Sequence, residues 1–196
     1  MSMAHILVPP DDGAHCDEIL PRLFIGNAAY AQKCELLFAN GITHVVTAAV
    51  SDGVGALFQD SITYHELDVV DSRVAPLAAL LPASSAFIAR ALEDPSAAVL
   101  VHCKMGISRS VTVLLHFLLT QRDYTLRGAL LHIMHVRAGN ARAPYTHPNV
   151  AFMSSLIEAE EALRRPDGAT MTLKQYVKHF STGNNFDRDP TVPTED

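Results

Sequence analysis

The sequence is poor in the features that mark unusual protein classes. It has no tryptophan and only 7% aromatic residues, so its core must be built mainly from aliphatic side chains. It has three cysteines, Cys16, Cys34 and Cys103. That odd, low count does not build the disulfide framework of a small secreted domain. Basic residues are few: 15 Lys and Arg against 21 Asp and Glu give a formal net charge of −6. A broad nucleic-acid or membrane-surface face needs the opposite balance, although a small local pocket of positive potential is still allowed. Long hydrophobic runs are missing as well. The most apolar stretch, 111–119, contains His116 and is far shorter than the roughly 20 residues of a membrane span. The first residues carry no basic n-region, and their apolar run stops at Pro9 and Pro10, so no secretory signal is read there. These exclusions predict a cytoplasmic protein with nuclear access open to it. It is expected to have no nucleic-acid partner and no membrane partner, and to be a monomer by default.

What is present suits one compact domain. There are 196 residues, 48% of them hydrophobic, enough to bury a real core. Residues 1–17 read as a loose arm. The stretch 18–26 reads as a short edge strand because of Pro21. A helix is expected over 28–41, stopped by Asn40 and Gly41, then strands at 42–50 and from 62, the latter leaving the sheet near Asp68. A helical period over 76–93 is interrupted by Pro82. Residues 97–102, "AAVLVH", form an unbroken apolar run of the kind buried on both faces of a parallel sheet. Apolar helices follow at 110–121 and 125–137, the second with Thr125 as a cap. Pro148 opens a last core helix with Phe152, Leu156, Ile157 and Leu163 inward. Strands alternating with helices predict an α/β fold: a single domain with a central, mostly parallel twisted sheet of about five strands, flanked by helices on both faces. Beyond Arg165 the composition turns polar, with "TLKQYVKHF" as a possible short helix before a disordered tail.

The chemistry gathers in "VLVHCKMGISRS", residues 99–110. A strand, a tight loop and a helix in that order make an anion site, because loop amides converge and the helix presents its positive end. A cysteine at the strand's last position feels the same field, which favours thiolate over thiol. Cys103 is then a nucleophile placed where a phosphate would sit. Arg109, at the helix's first turn, offers a planar fork for two phosphate oxygens. Gly106 supplies backbone freedom for the loop. The Ser110 hydroxyl is placed to steady the thiolate as a leaving group. His102 is read as orienting the loop by hydrogen bonds. His132 and His135, three apart on a helix, lack partners at metal-ligand spacing and are read as structural.

The loop "HCKMGISRS" resembles the signature of cysteine-dependent phosphatases, and its Gly and Ser-Arg-Ser positions resemble those of the dual-specificity protein phosphatases of the small, stand-alone type. "ILPRLFIGNAAYA", "LFANGITHVV" and "HPNVAFMSSL" are similar to further segments of that family, so the resemblance spans roughly residues 18–164, with 165–196 as an extension. It implies Cys103 as nucleophile, Arg109 as phosphate ligand and Ser110 as thiolate support. The amides of Lys104, Met105, Gly106, Ile107, Ser108 and Arg109 form the substrate-binding cradle. Met105 stands where the family usually has Ala, and Ile107 where an aromatic or Val is common, so the pocket rim differs.

The resemblance also implies a general acid about thirty residues before the cysteine. Asp71 lies 103 − 71 = 32 positions before Cys103 and is preferred. Asp68 is the runner-up, otherwise a structural residue at a strand end. Arg137 matches an arginine that some members place beside the pocket, but the preferred reading is a cation at a helix C-terminus. Arg142 is a weaker candidate. No metal and no cofactor are implied. The implied activity is hydrolysis of phosphotyrosine and phosphoserine or phosphothreonine in phosphoprotein substrates, through a phosphocysteine. Two alternatives stay open: a non-protein substrate (an RNA 5′-phosphate, phosphoinositide or phosphoglycan) and a non-catalytic phospho-binding module. Cys16 and Cys34 are candidates for a protective disulfide with Cys103 on oxidation. The plainer expectation is that Cys34 packs in its helix and Cys16 is exposed.

Overall fold

The computed structural model describes residues 13–139, 146–164 and 166–182. The first twelve residues of the expected arm, Arg142, and the polar tail from 183 onward lie outside the described residues. Within them, five strands form one sheet: β1 (Cys16–Leu20), β2 (Leu23–Asn27), β3 (Ile42–Thr47), β4 (Thr63–Glu66) and β5 (Ala98–Cys103). Their order is β1-β2-β5-β3-β4. Only the β1–β2 pair is antiparallel, so the mostly parallel α/β expectation holds. β5 lies at the centre with all six residues buried, which is why it reads as an uninterrupted apolar run.

Seven helices cover the sheet: α1 (Ala28–Ala31), α2 (Cys34–Ala39), α3 (Leu77–Glu93), α4 (Arg109–Gln121), α5 (Leu126–Arg137), α6 (Val150–Leu163) and α7 (Leu173–Thr182). Alternate residues of β5 sort the core into two layers. Val99, Val101 and Cys103 join the larger cluster with α3 to α7. Ala98 and Leu100 join a smaller one with Tyr30, Ala31 and Leu37 of α1 and α2. Among the described residues no helix is long and apolar enough to cross a membrane.

Several boundaries differ from the sequence reading. Regular structure begins inside the expected arm, because β1 starts at Cys16 and Ala14 and His15 are already buried. The single strand expected over 18–26 is a hairpin. Its turn needs Arg22 at φ 66°, a left-handed conformation unusual for a non-glycine residue. Tertiary contacts support it: the Arg22 guanidinium donates to the carbonyls of Asp94 and Ala97 at 2.7 and 2.8 Å and of Leu92 at 3.2 Å, capping the end of α3. The helix expected over 28–41 is two helices. Tyr30 turns into the smaller cluster and donates its hydroxyl to Leu36 O at 3.0 Å, which requires the chain to fold back between them. α3 runs unbroken through Pro82. The ring and the carbonyl of Ala78 it leaves unpaired both fall on the solvent side, where water takes the place of the lost bond.

α6 begins at Val150, capped by the Asn149 side chain, which accepts from Ala151 N and Phe152 N. Leu163 is not inward: it is 57% exposed. The buried residue of that last turn is Glu160. Its carboxylate accepts from Leu126 N at 2.7 Å and from Thr170 N and Oγ1 at 2.8 Å each, so a charge that would be costly alone is fully bonded. Thr125 caps α5 by accepting from Gly128 N, as its sequence position suggests. His132 bonds Ile19 O at 2.7 Å, a structural contact tying α5 to β1.

Candidate active site

Cys103 ends the central strand, in register with Asn27 of β2, and α4 begins six residues later at Arg109. Ligands of open α/β sheets gather at this carboxyl edge, where the loops turn away from the strands. The connecting loop is held from outside. Lys104 O accepts from Ala28 N at 3.2 Å, Ile107 O from His147 N at 3.1 Å, and Gly106 O from Arg137 Nη1 at 2.6 Å. Fixing three carbonyls against the scaffold turns the intervening amides the other way. Gly106 N accordingly donates to Cys103 Sγ at 3.2 Å.

Gly106 has φ 70°, and a Cβ there would stand 2.7 Å from Gly26 O. Both the loop's turn and its close seat on β2 therefore exclude any side chain at this position. Ser110 Oγ lies 3.3 Å from Cys103 Sγ. Two polar groups thus converge on a sulfur that is itself buried.

The other residues singled out from the sequence line the same cleft, of about 600 Å³: Lys104, Met105, Ile107, Ser108, Arg109 and Asp71. Arg109 is only 4% exposed. Its Nη1 donates to Val69 O at 3.0 Å, and among the described residues its buried Nε has no hydrogen-bond partner. Asp71 Oδ1 accepts from Ser108 Oγ at 3.0 Å and from Asn149 Nδ2 at 2.7 Å. Asp68 does not line the cleft. Met105 stands at the rim, 58% exposed.

His102 faces away from the thiol and pairs with Thr47 Oγ1 at 2.9 Å. Burial, with a smaller contribution from the nearby Arg109 charge, pushes its imidazole down to about 4. It is neutral at ordinary pH and supports the loop from behind. Arg137 is neither a surface helix cation nor a cleft residue. It is buried, holds Gly106 O, also donates to Thr146 Oγ1 at 3.2 Å, and pairs with Asp17 at 3.0 Å. It is a strut under the loop.

Sequence reasoning missed Asp52, Asn149 and His147, which also line the cleft. Asp52 Oδ2 pairs with Arg109 Nη1 at 2.7 Å and its Oδ1 lies 3.6 Å from Lys104 Nζ. Burial alone would raise its carboxyl, but Arg109 and then Lys104 more than offset this and hold it below the usual carboxylate range. No local signal marks Asp52, which enters by the turn after β3. Asn149 is legible as a helix cap, but its second contact, to Asp71 78 residues earlier, is not. Cys16 and Cys34 lie away from the cleft. Cys16 packs with the smaller cluster on the opposite face of the sheet from Cys103. It is half-buried rather than exposed, and burial pushes its thiol well above the ordinary range. A direct disulfide between Cys16 and Cys103 would have to cross the sheet, so the structure does not support that pairing.

The fold and cleft define a class: an α/β domain with a thiol set in an anion cradle between a central strand and a helix N-terminus. Residues 23–162 match the family model described as the dual specificity phosphatase catalytic domain. The chain is 34% identical over 159 residues to human dual specificity protein phosphatase 13B, spanning 79% of this chain and 77% of that one. It is 30% identical over 154 residues to dual specificity protein phosphatase 1B of Arabidopsis thaliana, spanning 79% and 87%. The crystal structure of human DUSP28 superposes with a TM-score of 0.68 at 29% identity, covering 80% of this chain and 97% of that one. The chain belongs to the dual specificity phosphatase family.

Proposed function

We propose that this protein hydrolyses phosphotyrosine and phosphoserine or phosphothreonine in proteins through a phosphocysteine on Cys103. The observation that carries the reading is that Cys103, Arg109 and Asp71 line one cleft while the Gly106 amide and the Ser110 hydroxyl both reach Cys103 Sγ. The sulfur attacks phosphorus in line with the ester oxygen, forming the S–P bond as the O–P bond breaks. Arg109 and the loop amides stabilise the charged equatorial oxygens. Asp71 gives its proton to the leaving oxygen, then takes one from the water that attacks the phosphocysteine. Ser110 steadies the departing sulfur.

A protein phosphomonoester suits the charge of the cleft better than a polyphosphorylated headgroup. Lys104 is the only basic residue between Cys103 and Arg109, and Asp52 sits against both of these cations. The non-catalytic reading is disfavoured by the presence of both the thiol and the arginine. The test is turnover of p-nitrophenyl phosphate and of phosphotyrosine and phosphothreonine peptides. The wild type is expected to hydrolyse all three, and Cys103→Ser to hydrolyse none while still binding inorganic phosphate. A wild type that binds phosphopeptides without turnover would sink the enzymatic reading. Trapping from lysate with Asp71→Ala then separates protein from RNA or lipid substrates.

A further inference from the structure

α7 lies beyond residues 23–162, the span of the family match, yet it is not a loose extension. Tyr176 is 2% exposed and belongs to the main core. Its hydroxyl donates to Pro148 O, and burial pushes the phenol far above its ordinary range, so it remains a donor. Phe180 meets Tyr176 edge-on with centroids 4.8 Å apart and packs at a tilt on His147 at 4.6 Å. α7 therefore grips the segment 146–149 from beneath. On its other side the same segment meets the catalytic loop, where His147 N donates to Ile107 O and Asn149 N to Ser108 Oγ at 3.0 Å.

Asn149 is fully committed. Its Oδ1 accepts from Ala151 N and Phe152 N at 3.0 and 3.1 Å. Its Nδ2 donates to Asp71 Oδ1 at 2.7 Å and to Ser72 O at 3.3 Å. With Ser108 Oγ as a second donor, both bonds fall on Asp71 Oδ1. An oxygen that accepts two hydrogen bonds is not the one that carries the proton, so the acid form holds it on Oδ2. The loop bearing Asp71 is otherwise open, with Val70 53% and Val74 91% exposed.

We infer that α7 is a positioning element for the general acid: the Tyr176 hydroxyl and the Phe180 ring fix the Pro148–Asn149 step, and Asn149 sets which oxygen of Asp71 carries the proton. Tyr176 and Asn149 are positioning residues, and the inference rests on the assignment of Asp71 as the acid. Acid catalysis matters most when the leaving oxygen is a poor leaving group, so the comparison is phenyl phosphate against p-nitrophenyl phosphate.

Tyr176→Phe removes one hydrogen bond and keeps the ring. It is expected to lower kcat/KM, which reports only the step that expels the leaving group, about 3- to 10-fold for phenyl phosphate, with little change for p-nitrophenyl phosphate. In an Asp71→Asn background the loss should vanish. Phe180→Leu, which loosens α7 without touching the hydroxyl, should give the same substrate-selective loss. Equal losses on both substrates that persist in Asp71→Asn, or no loss in either variant, overturn the role of α7. An Asp71→Asn enzyme that treats the two substrates as the wild type does overturns the acid assignment instead.

Discussion

Asp52 is the residue whose importance rests most on geometry. Its 2.7 Å pair with Arg109 and the bond from Arg109 to Val69 O both use Nη1, so the rest of the fork is held ready before substrate arrives. Losing such a hold costs rate through misorientation. Asp52→Asn is expected to lower kcat/KM for p-nitrophenyl phosphate by about tenfold, with partial recovery in Asp52→Glu. An unchanged or raised value would mean that the pair only competes with the substrate. Gly106 makes a sharper case. A methyl there meets Gly26 O at 2.7 Å and forces a side chain into φ 70°, a conformation costing on the order of 1–3 kcal/mol before the clash is counted. Gly106→Ala should lose nearly all activity and melt measurably lower. A folded, active Gly106→Ala enzyme would show that the loop can move off β2.

At the scale of elements, the charged residue that matters is Glu160, not an apolar one. It ends α6 facing inward and caps α5 through Leu126 N while holding Thr170. Glu160→Ala leaves buried donors unpaired, at roughly 2 kcal/mol. For a chain of this size that is a melting temperature lowered by about 4–8 °C, with α5 and its strut Arg137 loosened. Scanning calorimetry checks the first effect. Hydrogen exchange at Leu126 and Gly128 checks the second, and unchanged protection there would contradict the cap. The sequence pattern located α3 to α7 as separate segments but merged α1 with α2 and β1 with β2. The turn between β1 and β2 is held by a long-range bond, from Arg22 to the end of α3, which no local window contains. The break between α1 and α2 is held by the Tyr30 hydroxyl on Leu36 O, a side-chain bond that hydropathy does not register.

For the whole molecule, the most general consequence is its acid sensitivity. His102, His44, His65 and His116 are all lowered from their ordinary value, in each case first by burial. A histidine lowered in the folded state stays neutral while the unfolded chain takes up a proton. Stability is therefore full above about pH 6.5 and falls as the pH drops toward the folded values. For His102, at about 4, the loss amounts to about 3 kcal/mol at most. Urea midpoints should fall steadily from pH 7 to pH 5. His102→Gln should flatten part of that slope, and an equal slope would assign it to other groups.

The chain's pattern alone settled the α/β class, the buried central strand and the loop from Cys103 to Ser110, because these depend on residues adjacent in sequence or spaced by one strand or helix turn. It also named Asp71 through spacing that resembles a family. Only the tertiary structure decided that Asp52 meets Arg109, that Arg137 props the loop from below rather than entering the cleft, that Cys16 lies across the sheet from Cys103, and that α7 reaches Asp71 through the Pro148–Asn149 step. Those relations join residues tens of positions apart. They are set by how layers pack and where buried polar groups find partners, and neither is written in any short stretch of the chain.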